Sequence, residues 1–223
     1  MNDLRSIGED ARRHLEEKNA ARDRALQTSR TLIRHCAHAI RAVHRGERPQ
    51  AQEQLAEARR LAALLRDELR PYPDLYYAGY TQDALKEYAE ANLVDALVAG
   101  EPYPAPAAIG VEAAAYLAGL GEAAGELRRR TLDVLRHGEL TEAERLLATM
   151  DDIYDLLVTV DYPDAITGGL RRITDMVRGV VERTRGDLTT THQQQALKAA
   201  LRDVEGKLGK AGSNPSGMSR DGQ

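Results

Sequence analysis

The stretch AAAYLAGLGEAAG, from Ala113 to Gly125, restricts what this chain can build more than any other. Its side chains are small or apolar except for one ionisable group, Glu122. A carboxylate on a helix face of Ala, Gly and Leu is carried into a helix–helix contact, where it is costly unless paired, protonated or bound to a cation. Gly119, Gly121 and Gly125 each cost a helix ~1 kcal/mol relative to alanine. The expected compensation is close approach of another helix backbone, which also brings that helix near Glu122. Glu126 follows one turn later, and Glu87 and Glu90 stand upstream in LKEYAEANLV. Two helices that each present two glutamates inward form an acidic pocket, the candidate active site.

The rest of the chain supports helices throughout. With no Trp and no Phe, the core must be built from Leu, Ala, Val, Ile and some of the nine Tyr. Ala, Glu, Arg and Leu dominate, while β-branched and aromatic residues are thin, which predicts an all-α fold. Its 223 residues are enough for one sizeable core, so residues 1–208 are read as a single domain. The spacing predicts a first helix from near Glu9 to Arg45, with Leu26, Ile33, Cys36, Ile40 and Val43 on one stripe. A second starts at Pro49 and ends before Pro71; a third covers about Asp74 to Ala99. The proline-rich segment Gly100–Gly110 is a loop. A fourth helix runs from Val111 to His137. Thr141 with Glu144 reads as a capping box for a fifth, to about Val160. A sixth spans Asp164 to Arg185, and a second capping box at Thr191 and Gln194 opens a seventh, His192 to Leu208. Residues 209–223 lack periodicity and are expected to be a disordered tail.

A net charge of −4 does not mark the chain as a general nucleic-acid binder, so local distribution decides. Arg30, Arg34, His38, Arg41 and Arg45 share one face of the first helix. That face is either a solvated surface or a phosphate-contacting stripe, since arginine forks match phosphate oxygens. Arg128, Arg129 and Arg130 close the fourth helix as a second basic group. The cluster Tyr72, Tyr76, Tyr77 and Tyr80 suits base stacking or a core, and helical spacing favours core. A single cysteine, Cys36, excludes an intrachain disulfide and fits a reducing cytoplasm. Neither a signal-peptide pattern nor an apolar run of ~18 residues is visible, so a cytoplasmic protein without a membrane span is expected. His35, Cys36 and His38 lie within one helical turn and cannot supply four converging soft-metal ligands. There is no P-loop, dinucleotide fingerprint or nucleophile elbow.

Glu87 and Glu90 are spaced i, i+3, and Glu122 and Glu126 i, i+4, so each pair shares a helix face. Hard oxygen donors on facing helices suit Mg²⁺ or Mn²⁺, which keep several waters and meet substrate phosphates. Other acidic pairs arise by chance among 35 acidic residues, Asp151, Asp152 and Asp155 among them. The apolar surroundings of Glu122 single it out.

Four segments carry a family resemblance: RDRALQTSR with the following IRAVHRG, YPDLYYAGYTQDALKEYAEANLV, YLAGLGEAAGEL and DDIYDLLV. In this order, over about Arg22 to Asp187, the chain resembles the translin family, and is closer to translin-associated factor X than to translin. The resemblance implies a seven-helix bundle assembling into a hollow homo-octamer that binds single-stranded RNA, and also single-stranded DNA. In the catalytic branch it implies Mg²⁺-dependent endoribonuclease activity from inward acids, matched here by Glu87 and Glu90 in KEYAE, Glu122 in LGEAA and Glu126 in GEL. That branch typically has Asp where this chain has Glu122, and the noncatalytic branch lacks the acidic set. Arg24 and Arg30 fall where the family has basic residues near the nucleic acid. The sequence thus predicts a metal-dependent nuclease, with a binding protein of the same fold as the alternative.

Overall fold

A computed structural model describes residues 3–212. Helix α1, Leu4–His44, is capped by Asp3, whose carboxylate accepts from the Ser6 amide at 2.7 Å. It starts five residues earlier than the apolar stripe predicts. Its first buried residue is Ala21, so the opening turns extend beyond the core. Gly46, at φ +73°, turns the chain into α2, Arg48–Leu69, a left-handed conformation that only glycine adopts cheaply. The predicted third helix is split into a single turn, α3 (Pro73–Tyr76), and α4, Gly79–Ala99. Helix α5, Pro106–Ile109, is one turn inside the predicted loop. Then come α6 (Ala113–Arg136), α7 (Leu140–Val158), the single turn α8 (Asp164–Thr167) and α9 (Leu170–Gly212).

Both capping boxes fail. Helix α7 opens at Leu140 with Glu139 as its cap and no side-chain bond to it. Thr191 lies in mid-helix, because the sixth and seventh predicted helices run on as α9, a helix of 43 residues. No proline interrupts Gly186 to His192. The Thr189, Thr190 and Thr191 hydroxyls donate to the carbonyls four residues back, so they do not compete with the helix. Of the expected tail, residues 209–212 continue this helix, and 213–223 lie outside the described residues.

The all-α architecture is as predicted, and α4 is its centre. Helix α1 packs on one side of it and α6 on the other, with α2 beyond α1 and with α7 and α9 beyond α6. Helix α4 is buried over most of its circumference: Leu85, Tyr88, Ala89, Leu93 and Val94 have no exposed surface. An all-round buried helix belongs in the interior, and any ionisable side chain on it is drawn in as well. Among the described residues no helix is long and apolar enough to cross a membrane. Tyr72, Tyr76 and Tyr80 pack against the core as predicted, while Tyr77 stays exposed.

Candidate metal and nucleic-acid site

Gly119 sets the distance between α4 and α6. A Cβ there would stand 2.7 Å from the Lys86 carbonyl oxygen and 2.9 Å from the Glu90 amide nitrogen. The predicted close approach is therefore real at this residue. At Gly121 the space is taken by the Ile173 side chain of α9, and Gly125 has nothing within 4 Å. Close approach of a backbone thus explains Gly119 alone; Gly121 makes room for side chains instead, and Gly125 meets neither.

With the helix backbones this near, Glu87, Glu90 and Glu122 each offer a carboxylate oxygen within 4.8 Å of the other two. They form the one such group of potential metal ligands among the described residues. Glu90 is buried, at 7% exposure, whereas Glu87 and Glu122 open toward solvent. Burial first, then the neighbouring Glu87, Glu122 and Glu126, push the Glu90 carboxyl up to about 8. The set is thus short of positive charge, as a cation site is before loading. Three carboxylates with an opening to water suit a hard divalent ion that keeps part of its hydration shell.

Glu126 stands apart from this triplet. Its carboxylate accepts a 2.5 Å hydrogen bond from Nε2 of His44, at the end of α1. That bond, ahead of the nearby charges, holds the Glu126 carboxyl below its ordinary range. The His44 side chain is 4% exposed, and its Nδ1 is buried without a partner among the described residues. Sequence reasoning missed both His44 and Lys86. Lys86 Nζ donates to Glu122 at 2.7 Å and lies 3.2 Å from Glu87. Neither residue has a pattern of its own in the sequence, and only the packing of α1 and α4 on α6 brings them in.

Cys36 is buried close behind the site, and burial, then Glu87 and Glu90, push its thiol up strongly. It is a core group and no nucleophile. His35 bonds Gln54 and His38 is exposed, so the histidine–cysteine cluster does not converge.

Arg30, Arg34 and Arg41 are exposed and make no ion pair among the described residues, and the same holds for Arg24. At about 100° per residue, Arg30, Arg41 and Arg34 lie roughly 40–80° round α1 from His44, with Arg24 on the far side of them. His44 therefore sits at the border between the core face and a strip of free guanidiniums. Arg45 is spent on a surface pair with Glu47. Arg128 departs from the expected role: it donates to Thr184 at 2.9 Å and pairs with Asp187 at 2.8 Å, fixing α6 to α9. Arg129 is exposed, with only a 3.8 Å contact to Glu126.

No protein-family model matches the chain. It is 29% identical over 194 residues to the uncharacterized protein MJ0175 of Methanocaldococcus jannaschii, covering 86% of each. Among solved structures it is similar to AfC3PO in complex with duplex RNA, at 33% identity and a TM-score of 0.79, over 84% of this chain and 97% of that one. AfC3PO alone gives 33% identity and 0.78, over 84% and 98%. For apo-NeC3PO the figures are 24% and 0.68, over 86% and 98%, a likeness of fold. At 33% identity over 97% of AfC3PO, the chain belongs to the translin family.

Proposed function

We propose that this protein is a Mg²⁺-dependent endoribonuclease, Mn²⁺ serving equally, which binds and cuts short single-stranded RNA within a homo-oligomeric shell. The observation that carries the reading is the convergence of Glu87, Glu90 and Glu122 from two helices. These acids support reading the chain on the translin-associated factor X side of the family. Duplex RNA in the AfC3PO complex supports RNA as the ligand class. An octamer and a cytoplasmic location complete the proposal.

In this reading Glu87, Glu90 and Glu122 hold the ion. A divalent cation bound there would supply an acidified water and stabilise charge building on a phosphodiester. Buried Glu90 fixes the inner side of the site, and Gly119 keeps α6 near enough for Glu122 to complete it. Glu126 lies outside the triplet, its carboxylate held ionised by the Nε2–H of His44, and adds negative charge beside the ligands. Arg30, Arg34 and Arg41, with Arg24 beyond them, grip backbone phosphates along α1. Arg129, exposed and only loosely paired with Glu126, adds a contact on α6; Arg45 and Arg128 do not, because each is held by a close carboxylate.

One observation favours the alternative, a protein that holds RNA or single-stranded DNA without cutting it: Lys86 already neutralises part of the acidic set. An assay on single-stranded and duplex RNA, with Mg²⁺ or chelator, separates the two. Wild type is expected to cut the single strand in Mg²⁺ only, and Glu122→Gln to bind it without cutting. Wild type that binds RNA and leaves it whole in Mg²⁺ establishes the alternative.

A further inference from the structure

We propose that Lys86 is a built-in counter-ion of the acidic recess, which a divalent cation must displace before the site can load. The inference rests on the metal-binding reading above and concerns what holds the recess without an ion. Lys86 precedes Glu90 by one turn on α4, and its backbone carbonyl is pinned against Gly119. The side chain spans the gap between the helices: Nζ donates to Glu122 Oε1 at 2.7 Å and lies 3.2 Å from Glu87 Oε1. One ammonium thus serves two of the three carboxylates that converge.

The side chain is 20% exposed, so the pair is screened less than a surface ion pair. A metal entering between these oxygens meets a positive charge already there, and carboxylate lone pairs turned to the ammonium must turn back. Lysine suits such a device. Its charge is compact, strongly hydrated and carried on a flexible stem that can swing into water, whereas an arginine fork would lock two-pronged onto a carboxylate. The recess is thereby partly neutralised when divalent ions are scarce, and it opens by exchanging one cation for another.

This leads to an effect that loss of a merely structural residue does not produce: removing the side chain tightens metal binding. Mn²⁺ titrated calorimetrically into the full-length protein is the direct test. For Lys86→Gln a dissociation constant about tenfold below wild type is expected, and for Lys86→Arg one equal to wild type or weaker. Should Lys86→Gln fold poorly, amine acylation of the wild type, followed by mass spectrometry, gives a second measurement. Mn²⁺ is expected to raise labelling at Lys86 and leave Lys18 unchanged. Wild type that binds Mn²⁺ while Lys86→Gln binds it no tighter, or while labelling of Lys86 stays constant, overturns the counter-ion role and leaves the metal site standing. Absence of Mn²⁺ binding in both proteins overturns the metal reading and this one with it.

Discussion

The acidic recess and the arginine strip of α1 carry opposite charge and are built by opposite means. The recess gathers Glu87 and Glu90 from α4 and Glu122 from α6, with Glu126 held beside it by His44 of α1, and it buries one of the acids. The strip takes Arg30, Arg34 and Arg41 from a single helix and leaves them all in water, without ion-pair partners among the described residues. Charges drawn together by packing are expensive, and they persist because α4 is enclosed by α1 and α6. Charges left on a helix surface cost the fold almost nothing. A substitution in the recess should therefore move stability, metal affinity and chemistry together, whereas one in the strip should move only the grip on RNA.

Glu90→Gln is the sharpest way to break this comparison. With the inner ligand neutral, Mg²⁺-dependent cleavage is expected to fall by about 10²-fold or more, the scale set by loss of one preorganised electrostatic group. Stability without metal should go the other way. The Glu90 carboxyl is raised from 4.5 to about 8 in the fold, chiefly by burial. A group whose folded value lies above its unfolded one contributes stability that is complete below pH 4.5 and is lost as pH rises through about 8. In chelator, wild type should thus lose melting temperature across that window by more than Glu90→Gln, and should melt below it at the alkaline end. Identical melting curves throughout would mean that the recess does not strain the fold, and the contrast with the strip would collapse.

Gly119→Ala tests the packing that creates the recess. The added methyl would lie 2.7 Å from the Lys86 oxygen and 2.9 Å from the Glu90 nitrogen, both backbone atoms that cannot rotate away. Separation of α4 from α6 is expected to cost about 1–3 kcal/mol, measured by urea unfolding, and to weaken Mn²⁺ binding as Glu122 moves off. Gly125→Ala, with nothing within 4 Å, is the matched control and should leave both unharmed. An equal loss in the two would put the effect down to helix propensity and away from the contact.

These two glycines also mark how far the sequence could be read. The small-residue run announced a helix contact around Glu122, and the contact is there, but nothing in GLGEAAG distinguishes Gly119, which needs it, from Gly125, which does not. The four glutamates were legible as pairs because i, i+3 and i, i+4 spacings are local. That Glu126 is withdrawn from the triplet was not, since His44 reaches it from 82 positions away. Lys86 was overlooked for the same reason: beside Glu87 in the sequence it reads as an ordinary helix charge, and only α6 gives it Glu122. The strip on α1 needed nothing but helical periodicity. Helix ends were misread where a motif had two uses. Thr191 and Gln194 match a capping box, yet a threonine hydroxyl inside a helix is equally well satisfied by the carbonyl four residues back.

The smallest effect is expected on the strip itself. In Arg34→Ala with Arg41→Ala, two exposed guanidiniums without ion pairs among the described residues are removed, so the melting temperature should hold, as should Mn²⁺ affinity. RNA binding should weaken, because each lost phosphate contact forgoes the release of counterions. For a single strand, the slope of log K against log salt should flatten by about 0.7 per contact, or roughly 1.4 for the pair. The loss should be severalfold at low salt and shrink as salt rises, so binding has to be followed across a salt series. A cleavage rate that recovers fully at saturating RNA would confine these residues to grip, whereas a rate that stays low would carry them into the positioning of the cut. An unchanged salt slope would return the strip to an ordinary solvated face and leave RNA to be held by surfaces elsewhere in the assembly.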